Sequence, residues 1–129
     1  MSFTTATSTY RQMEVYSASP AQLVVIVYDY LLLQLRRIDL AIEGEKVELR
    51  SDAVGRANAA IVELVGGLNL ERGGEIGKQL SGLYTYFLAE LIDIGRYSDR
   101  TRLSRLTAQV SDLREAFADI AVRPTASAA

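Results

Sequence analysis

The sequence contains no cysteine and no histidine among its 129 residues. Without cysteine no disulfide can form, so nothing in the chain points to an oxidising compartment. Zinc, haem and iron–sulfur sites lose their usual ligands, and nucleophile pairs built on histidine are excluded. We therefore expect no metal, no cofactor and no enzymatic reaction.

Carboxylates are the remaining candidates for catalysis or metal binding. Asp29, Asp39 and Glu43 fall in one predicted helix. Di-iron proteins built on helical bundles need Glu-x-x-His motifs, which a chain without histidine does not have. We interpret Asp39 and Glu43 as part of a solvated face near Arg36.

Charge and hydropathy exclude two further classes of protein. The formal net charge is −2 and the sequence pI is near 5.2, whereas a nucleic-acid binder needs a basic face. The first twenty residues have Arg11 as their only basic residue and lack the apolar core of a secretory signal. The most apolar run, Leu23 to Leu33, contains Asp29 and is too short to span a bilayer. We expect a cytoplasmic protein that neither binds nucleic acid nor inserts into membranes.

Proline and glycine are placed where helices begin and end. The two prolines are Pro20 and Pro124, so a long central stretch is open to helix. Ser19 suits an N-cap with Pro20 at the first helical position, Gly44 suits a C-terminal stop, and Asp99 suits a second cap. The predicted helices run from Pro20 to about Glu43, from between Lys46 and Ser51 to near Val65, from about Gly74 to Tyr97, and from Asp99 to about Val122.

Four helices joined by short loops predict an all-α fold, an antiparallel up-down four-helix bundle. We expect one domain over residues 1–129, with residues 1–9 and 123–129 flexible. A short helical segment between Tyr10 and Tyr16 is expected to pack against the bundle.

The first helix carries more apolar surface than a bundle helix needs. One row of apolar side chains is Val24, Tyr28, Leu31, Leu35, Ile38 and Ile42. A second row on nearly the opposite side is Leu23, Ile26, Tyr30, Leu33 and Leu40. Because a bundle buries part of each helix, the second row needs another cover. Three candidates remain open: the N-terminal segment from Phe3 to Val15, a second subunit, or a helix of a partner.

The third helix shows the same feature more weakly. Its main apolar row is Ile76, Leu80, Leu83, Phe87, Leu91 and Ile94. Tyr84, Leu88 and Ile92 fall to one side of this row, where Gly77 and Ser81 precede them. Small residues beside large ones favour a shallow groove, although core packing against two neighbouring helices explains the same pattern.

Several short motifs occur together and in order along the chain. They are Tyr10-Arg11-Gln12, Ser17-Ala18-Ser19-Pro20, Tyr28-Asp29, Ala41-Ile42-Glu43, Ile61-Val62-Glu63-Leu64, Gly73-Gly74-Glu75-Ile76, Leu83-Tyr84-Thr85-Tyr86 and Leu113-Arg114-Glu115-Ala116-Phe117. With them the chain resembles the flagellin-specific export chaperones of the FliS family from about Tyr10 to Ile120. It departs from that family at Tyr30, where glycine is frequent, and at Phe117, where tryptophan is frequent.

The resemblance implies a helical bundle that binds the disordered C-terminal region of flagellin in the cytoplasm. It also implies that this binding prevents early polymerisation and aids delivery to the flagellar type III export apparatus, with the export gate a further partner. We expect the contact surface to comprise Leu23, Ile26, Tyr30, Leu33, Tyr84, Leu88 and Ile92. A cover segment containing Tyr10 and Met13 is expected to lie over part of it.

The alternative hypothesis is a self-associating structural bundle in which the second row of the first helix forms a homodimer interface. The expected oligomeric state is accordingly a monomer or a weak dimer. In either case the function is binding by an apolar helical surface.

Overall fold

The computed structural model describes residues 19–68 and 74–122. The helices are α1 (Pro20–Glu43), α2 (Val47–Glu63), α3 (Gly74–Tyr97) and α4 (Arg100–Val122), and a π-helical turn (Leu64–Leu68) follows α2. No strand occurs in these two ranges. The predicted all-α fold is confirmed, and the predicted ends of the four helices agree with the observed ones to within a few residues.

The helices form a closed ring of four. Helix α1 packs chiefly against α2 and α4, and α3 packs against the same two helices, so α1 and α3 lie diagonally across the bundle. Contacts between early residues of one helix and late residues of its neighbour show that neighbours run antiparallel. Arg100 at the start of α4 binds Asp39 near the end of α1, and Arg114 binds Asp29 nearer its start.

The core follows the first apolar row of α1. Val24, Tyr28, Leu31, Leu35 and Ile38 are all at most 2% exposed. Helix α2 contributes small residues such as Ala53 and Ala57, and α4 contributes Leu103, Leu106 and Val110. The Tyr28 and Tyr84 hydroxyls form a buried hydrogen bond of 2.5 Å that joins the diagonal helices α1 and α3.

Local signals in the sequence explain where α1 begins. The Ser19 hydroxyl accepts from the Gln22 backbone N–H at 3.2 Å, and the Gln22 side chain accepts from the Ser19 N–H at 2.7 Å. This reciprocal capping box satisfies two N–H groups that the helix leaves without an internal acceptor. Pro20 then occupies the first turn, where its missing N–H costs nothing.

The C-terminal end of α1 differs from the glycine stop that the sequence predicts. Gly44 follows the last helical residue as predicted, but it has φ −87°, which any residue adopts. The left-handed residue is Glu45, at φ 55°. Glu45 N–H donates to Ile42 O at 3.1 Å and Lys46 N–H donates to Ala41 O at 2.8 Å, which is the Schellman pairing. A charged residue therefore holds the position that glycine usually takes.

Candidate partner-binding surface

Helix α1 does carry two apolar rows with contrasting environments. In the second row, Leu33 is 48% exposed and Leu40 is 54% exposed. Leu23, Ile26 and Tyr30 are half-buried. Leu33 and Leu40 thus leave apolar surface in solvent on the outside of the bundle, whereas Tyr30 packs against the edge of the core.

The outer row of α1 borders α2. Arg37 reaches Asp52 of α2 at 3.6 Å. A hydrogen bond from Arg56 of α2 to Tyr30, together with one to Asp52, raises the pKa of the Arg56 guanidinium above its usual range. These polar contacts hold the edge of the row without covering Leu33.

Near the turn between α1 and α2 the apolar surface continues onto α2. A shallow hollow of about 220 Å³ is lined by Arg37, Leu40, Ala41, Lys46 and Leu49. Leu49 is 54% exposed. Sequence reasoning did not select Leu49, because the apolar pattern of α2 is weak and Leu49 falls outside its main row.

On α3 the observed core face is rotated relative to the predicted one. Tyr84, predicted to lie on the binding surface, is fully buried and bonded to Tyr28, so it belongs to the core. Gly77, two turns earlier on the same side of α3, is also buried. Ile76, predicted in the core row, is 67% exposed. Apolar residues occur on most sides of α3, so their spacing in the sequence does not show which side is buried.

Leu88 and Ile92 lie on the side of α3 that faces α2. Ile92 is 55% exposed, and Leu88 is partly buried against the core. Gly95, three residues beyond Ile92, sits against Val54 of α2, where an added Cβ would come within 3.3 Å of a Val54 methyl. Because α1 and α3 are diagonal, the predicted α1 and α3 residues form two patches separated by α2, not one groove.

The outward side of α2, between the two patches, includes two small residues. Gly55 and Ala59, four residues apart and therefore one helical turn from each other, are both exposed. A Cβ added at Gly55 would meet nothing within 4 Å. Val62, 50% exposed, adds apolar area on the same helix. The backbone of α2 is therefore accessible to a segment that crosses from one patch to the other.

The carboxylates of α1 are engaged with arginines of α4. Asp39 accepts from Arg100 at 2.8 and 3.1 Å, and Asp29 accepts from Arg114 at 2.8 Å. The hydrogen bond from Arg100 holds the pKa of Asp39 below its usual value of 3.8. Within residues 19–68 and 74–122 no three His, Cys, Asp or Glu residues are grouped to hold a metal ion. These carboxylates link two helices and form part of the solvated face.

A second cleft, of about 620 Å³, lies between α1 and α4. Its floor contains Leu35 and Leu103, and its rim contains Arg36, Asp39 and Arg100. On the α4 side the cleft is lined by residues with small side chains: Ser104, Thr107, Ala108 and Ser111. The cleft is more polar than the outer row of α1, and it contains none of the residues predicted to bind a partner.

Two predicted features lie beyond what the structure describes. Tyr10 and Met13, expected in the N-terminal cover segment, are outside the described residues, as are residues 1–9 and 123–129.

None of the described helices is both long and apolar enough to cross a membrane.

A helical bundle with apolar side chains left in solvent along one helix is typical of proteins that bind a helical segment of another chain. The family model described as "Flagellar protein FliS" matches residues 3–124. The chain therefore belongs to the FliS family.

Curated relatives agree with this assignment over most of their length. The flagellar secretion chaperone FliS of Campylobacter jejuni is 30% identical over 89% of this chain and 90% of its own. The FliS of Salmonella typhimurium is 33% identical over 82% of this chain and 79% of its own. That of Bacillus subtilis is 27% identical over 84% of this chain and 80% of its own.

Proposed function

We propose that this protein is a cytoplasmic export chaperone that binds the disordered C-terminal region of flagellin. Binding keeps that region from polymerising early and aids its delivery to the flagellar type III export apparatus. Membership of the FliS family supports the proposal, and the curated relatives are named as flagellar secretion chaperones. The observation that carries it is the exposed apolar row of α1, with Leu33 and Leu40 each about half in solvent.

The free energy of binding expected from this surface is small enough for a partner to bind reversibly. Covering the exposed half of a large apolar side chain contributes on the order of 1 kcal/mol. Ordering a disordered segment costs about 2–5 kcal/mol or more. Leu33, Leu40, Val62 and Ile92, each near half exposed, together contribute about 4 kcal/mol, which is comparable to that cost. Tight binding therefore requires a long flagellin segment. Because each short stretch of that segment is held weakly, the segment is easily released at the export gate.

The proposed contact residues are Leu23, Ile26, Tyr30, Leu33, Leu88 and Ile92. An amphipathic segment lies along the α1 row, crosses α2 over Gly55 and Ala59, and continues on the α3 patch. Because Gly55 has no side chain and Ala59 has only a methyl group, the segment approaches the α2 backbone closely at these two residues. The N-terminal segment with Tyr10 and Met13 covers part of this surface until flagellin displaces it.

Calorimetry with a peptide of about the last forty residues of the host's flagellin tests the proposal. Coupled folding on an apolar surface predicts a large negative heat-capacity change and a gain of helical circular dichroism on mixing. No heat and no gain of helix at tens of micromolar protein would refute it.

Aspartate substitutions locate the surface. Ile26→Asp on α1 and Ile92→Asp on α3 each place a charge in the proposed contact and should weaken peptide binding at least tenfold. Ile92 is 55% exposed, and Ile26 is half-buried on the side of α1 away from the core, so the helical circular dichroism should persist. The matched control is Val47→Asp, at a residue 60% exposed in the first turn of α2, where a carboxylate suits the helix dipole. Normal binding by both test variants would place the flagellin contact elsewhere.

A further inference from the structure

The hollow at the turn between α1 and α2 combines an apolar lining with two cations. Leu40, Ala41 and Leu49 form the apolar part, and Arg37 and Lys46 complete the lining. Among the described residues that line the hollow, none is acidic. Its volume of about 220 Å³ is below the roughly 300–1,000 Å³ of small-molecule pockets, so it suits one or two side chains of a bound chain.

The hollow lies where the outer row of α1 ends. Leu40 belongs both to the row and to the hollow, and α1 ends three residues later at Glu43. The Lys46 side chain runs past the turn, because a Cβ added at Gly44 would lie 3.5 Å from Lys46 Cγ and 4.0 Å from its Cε. A segment that follows the row toward the C-terminal end of α1 therefore meets a cation where the helix surface stops.

The acidic residues nearby leave the two cations available to a ligand. Asp52 accepts from Arg56 at 2.9 Å and lies 3.6 Å from Arg37, so its carboxylate is held chiefly by Arg56. The Arg37 side chain remains 40% exposed. The acidic residues of the turn are exposed and lie outside the lining: Glu43, Glu45 and Glu48. The hollow therefore attracts an anion that follows an apolar side chain.

A C-terminal carboxylate is the anion that best fits this position. It has a pKa of about 3.3–3.7 and is ionised at neutral pH. It accepts charge-assisted hydrogen bonds from arginine and lysine. A carboxylate side chain in the middle of a segment would require the segment to continue beyond the turn, where the apolar row has ended. The end of a chain makes no such demand.

We propose that the hollow binds the C-terminal end of the flagellin segment. An apolar side chain near that end lies against Leu40, Ala41 and Leu49, and the terminal carboxylate pairs with Arg37 and Lys46. This inference rests on the proposed function and adds a direction to it. The bound segment reaches α1 from α2 and then runs parallel to α1, with its last residues at the turn.

Calorimetry with two forms of one peptide tests the proposal. The peptide is about the last forty residues of the host's flagellin, with either a free C-terminal carboxylate or a C-terminal amide. Because amidation removes the terminal charge, it should weaken binding to the parent protein at least threefold. An unchanged affinity of the parent for the amide would overturn the proposal.

A charge reversal at Lys46 locates the carboxylate. Lys46 is exposed, and glutamate suits the start of α2, so Lys46→Glu should keep the helical circular dichroism. In this variant the amide should bind as tightly as the free acid or more tightly, because the new carboxylate repels the terminal one. The matched control is Arg105→Glu, the same charge change at an exposed residue of α4, which should retain the loss on amidation. Equal amidation effects in the parent and in Lys46→Glu would overturn the assignment to this hollow.

A third peptide separates the chain end from an acidic side chain. Adding Gly-Ser-Gly after the last residue keeps a terminal carboxylate but moves it by about 10 Å, so binding should weaken as it does on amidation. If amidation and extension leave binding unchanged while Lys46→Glu weakens it, an acidic side chain occupies the hollow and the proposal is wrong. Failure of the proposed function has a different outcome, since the parent would then bind none of the three peptides.

Discussion

The two apolar rows of α1 contain the same kinds of residue in opposite environments. Leu31 and Leu35 on the inner row are fully buried, whereas Leu33, between them in sequence, is 48% exposed. The inner row contacts three other helices and holds the bundle together. In the outer row, Tyr30 packs against the edge of the core, whereas Leu33 and Leu40 are about half exposed and add little to folding. One helix therefore supplies stability from one side and leaves apolar surface in solvent on the other.

The largest expected difference between the rows is in the free energy of unfolding. Leu35→Ala removes a buried side chain and leaves a cavity, so it should destabilise the protein by about 2–5 kcal/mol. Leu33→Ala should change stability by roughly 0.5 kcal/mol or less, because the side chain is half in solvent. Urea unfolding of the two variants measures both values. Similar losses at the two sites would contradict the assignment of the outer row to binding.

A smaller effect comes from the hydrogen bond that ties the inner row to α3. Replacing Tyr28 and Tyr84 by phenylalanine, singly and together, forms a double-mutant cycle for the bond between their hydroxyls. A buried neutral hydrogen bond predicts a coupling free energy of about 0.5–1.5 kcal/mol. Additive losses in urea unfolding would show that the two hydroxyls do not interact.

The turn at the end of α1 should yield a gain in stability. Glu45 adopts φ 55°, which costs a residue with a side chain more than glycine. Glu45→Gly should therefore stabilise the protein by about 0.5–1 kcal/mol, after allowing for the larger entropy of glycine in the unfolded chain. Gly44→Ala is the control, because φ −87° suits alanine and the nearest atom to its Cβ would lie at 3.4 Å. If the alanine variant rather than the glycine variant gains stability, the left-handed residue is misassigned.

The smallest effect concerns the polar flank of α1 that faces α4. The pKa of Asp39 is lowered, chiefly by its hydrogen bond with Arg100, so the folded state favours the ionised carboxylate. Its contribution to stability is present above pH 3.8 and is lost as the pH falls through the lowered pKa. Asp39→Asn should be slightly less stable than the parent at pH 7, and the difference should shrink as the pH falls below 3.8. A difference that grows with acidity would contradict this sign.

The bounds of the helices were predictable because their signals are local. Ser19 and Pro20 determine the start of α1, the serine through hydrogen bonds with Gln22, and Gly44 follows the last helical residue as predicted. The left-handed position of Glu45 was not predictable, because glycine one residue earlier was the obvious candidate. The contacts that close the bundle, such as Asp39 with Arg100, join residues far apart in sequence and follow from helix packing.

The candidate surface was predicted on α1 and only in part on α3. On α1 the apolar residues form two separate rows, so the sequence distinguishes an inner from an outer face. On α3 large residues surround more of the helix, and Tyr84 falls to one side of the row that its spacing selected as the core. Its hydroxyl finds a partner in Tyr28 on the diagonal helix, a pairing that no local pattern reveals.

We propose that the outer row of α1 binds flagellin and that Leu33 within it contributes little to the stability of the fold. Its most direct test is the dissociation constant of the flagellin C-terminal peptide, by calorimetry, for the parent protein, Leu33→Asp and the Val47→Asp control. We expect at least tenfold weaker binding for Leu33→Asp, which is about 1.4 kcal/mol. Binding by the control should stay within twofold of the parent, and the unfolding curves should be unchanged. Parent-like affinity in a folded Leu33→Asp protein would contradict it.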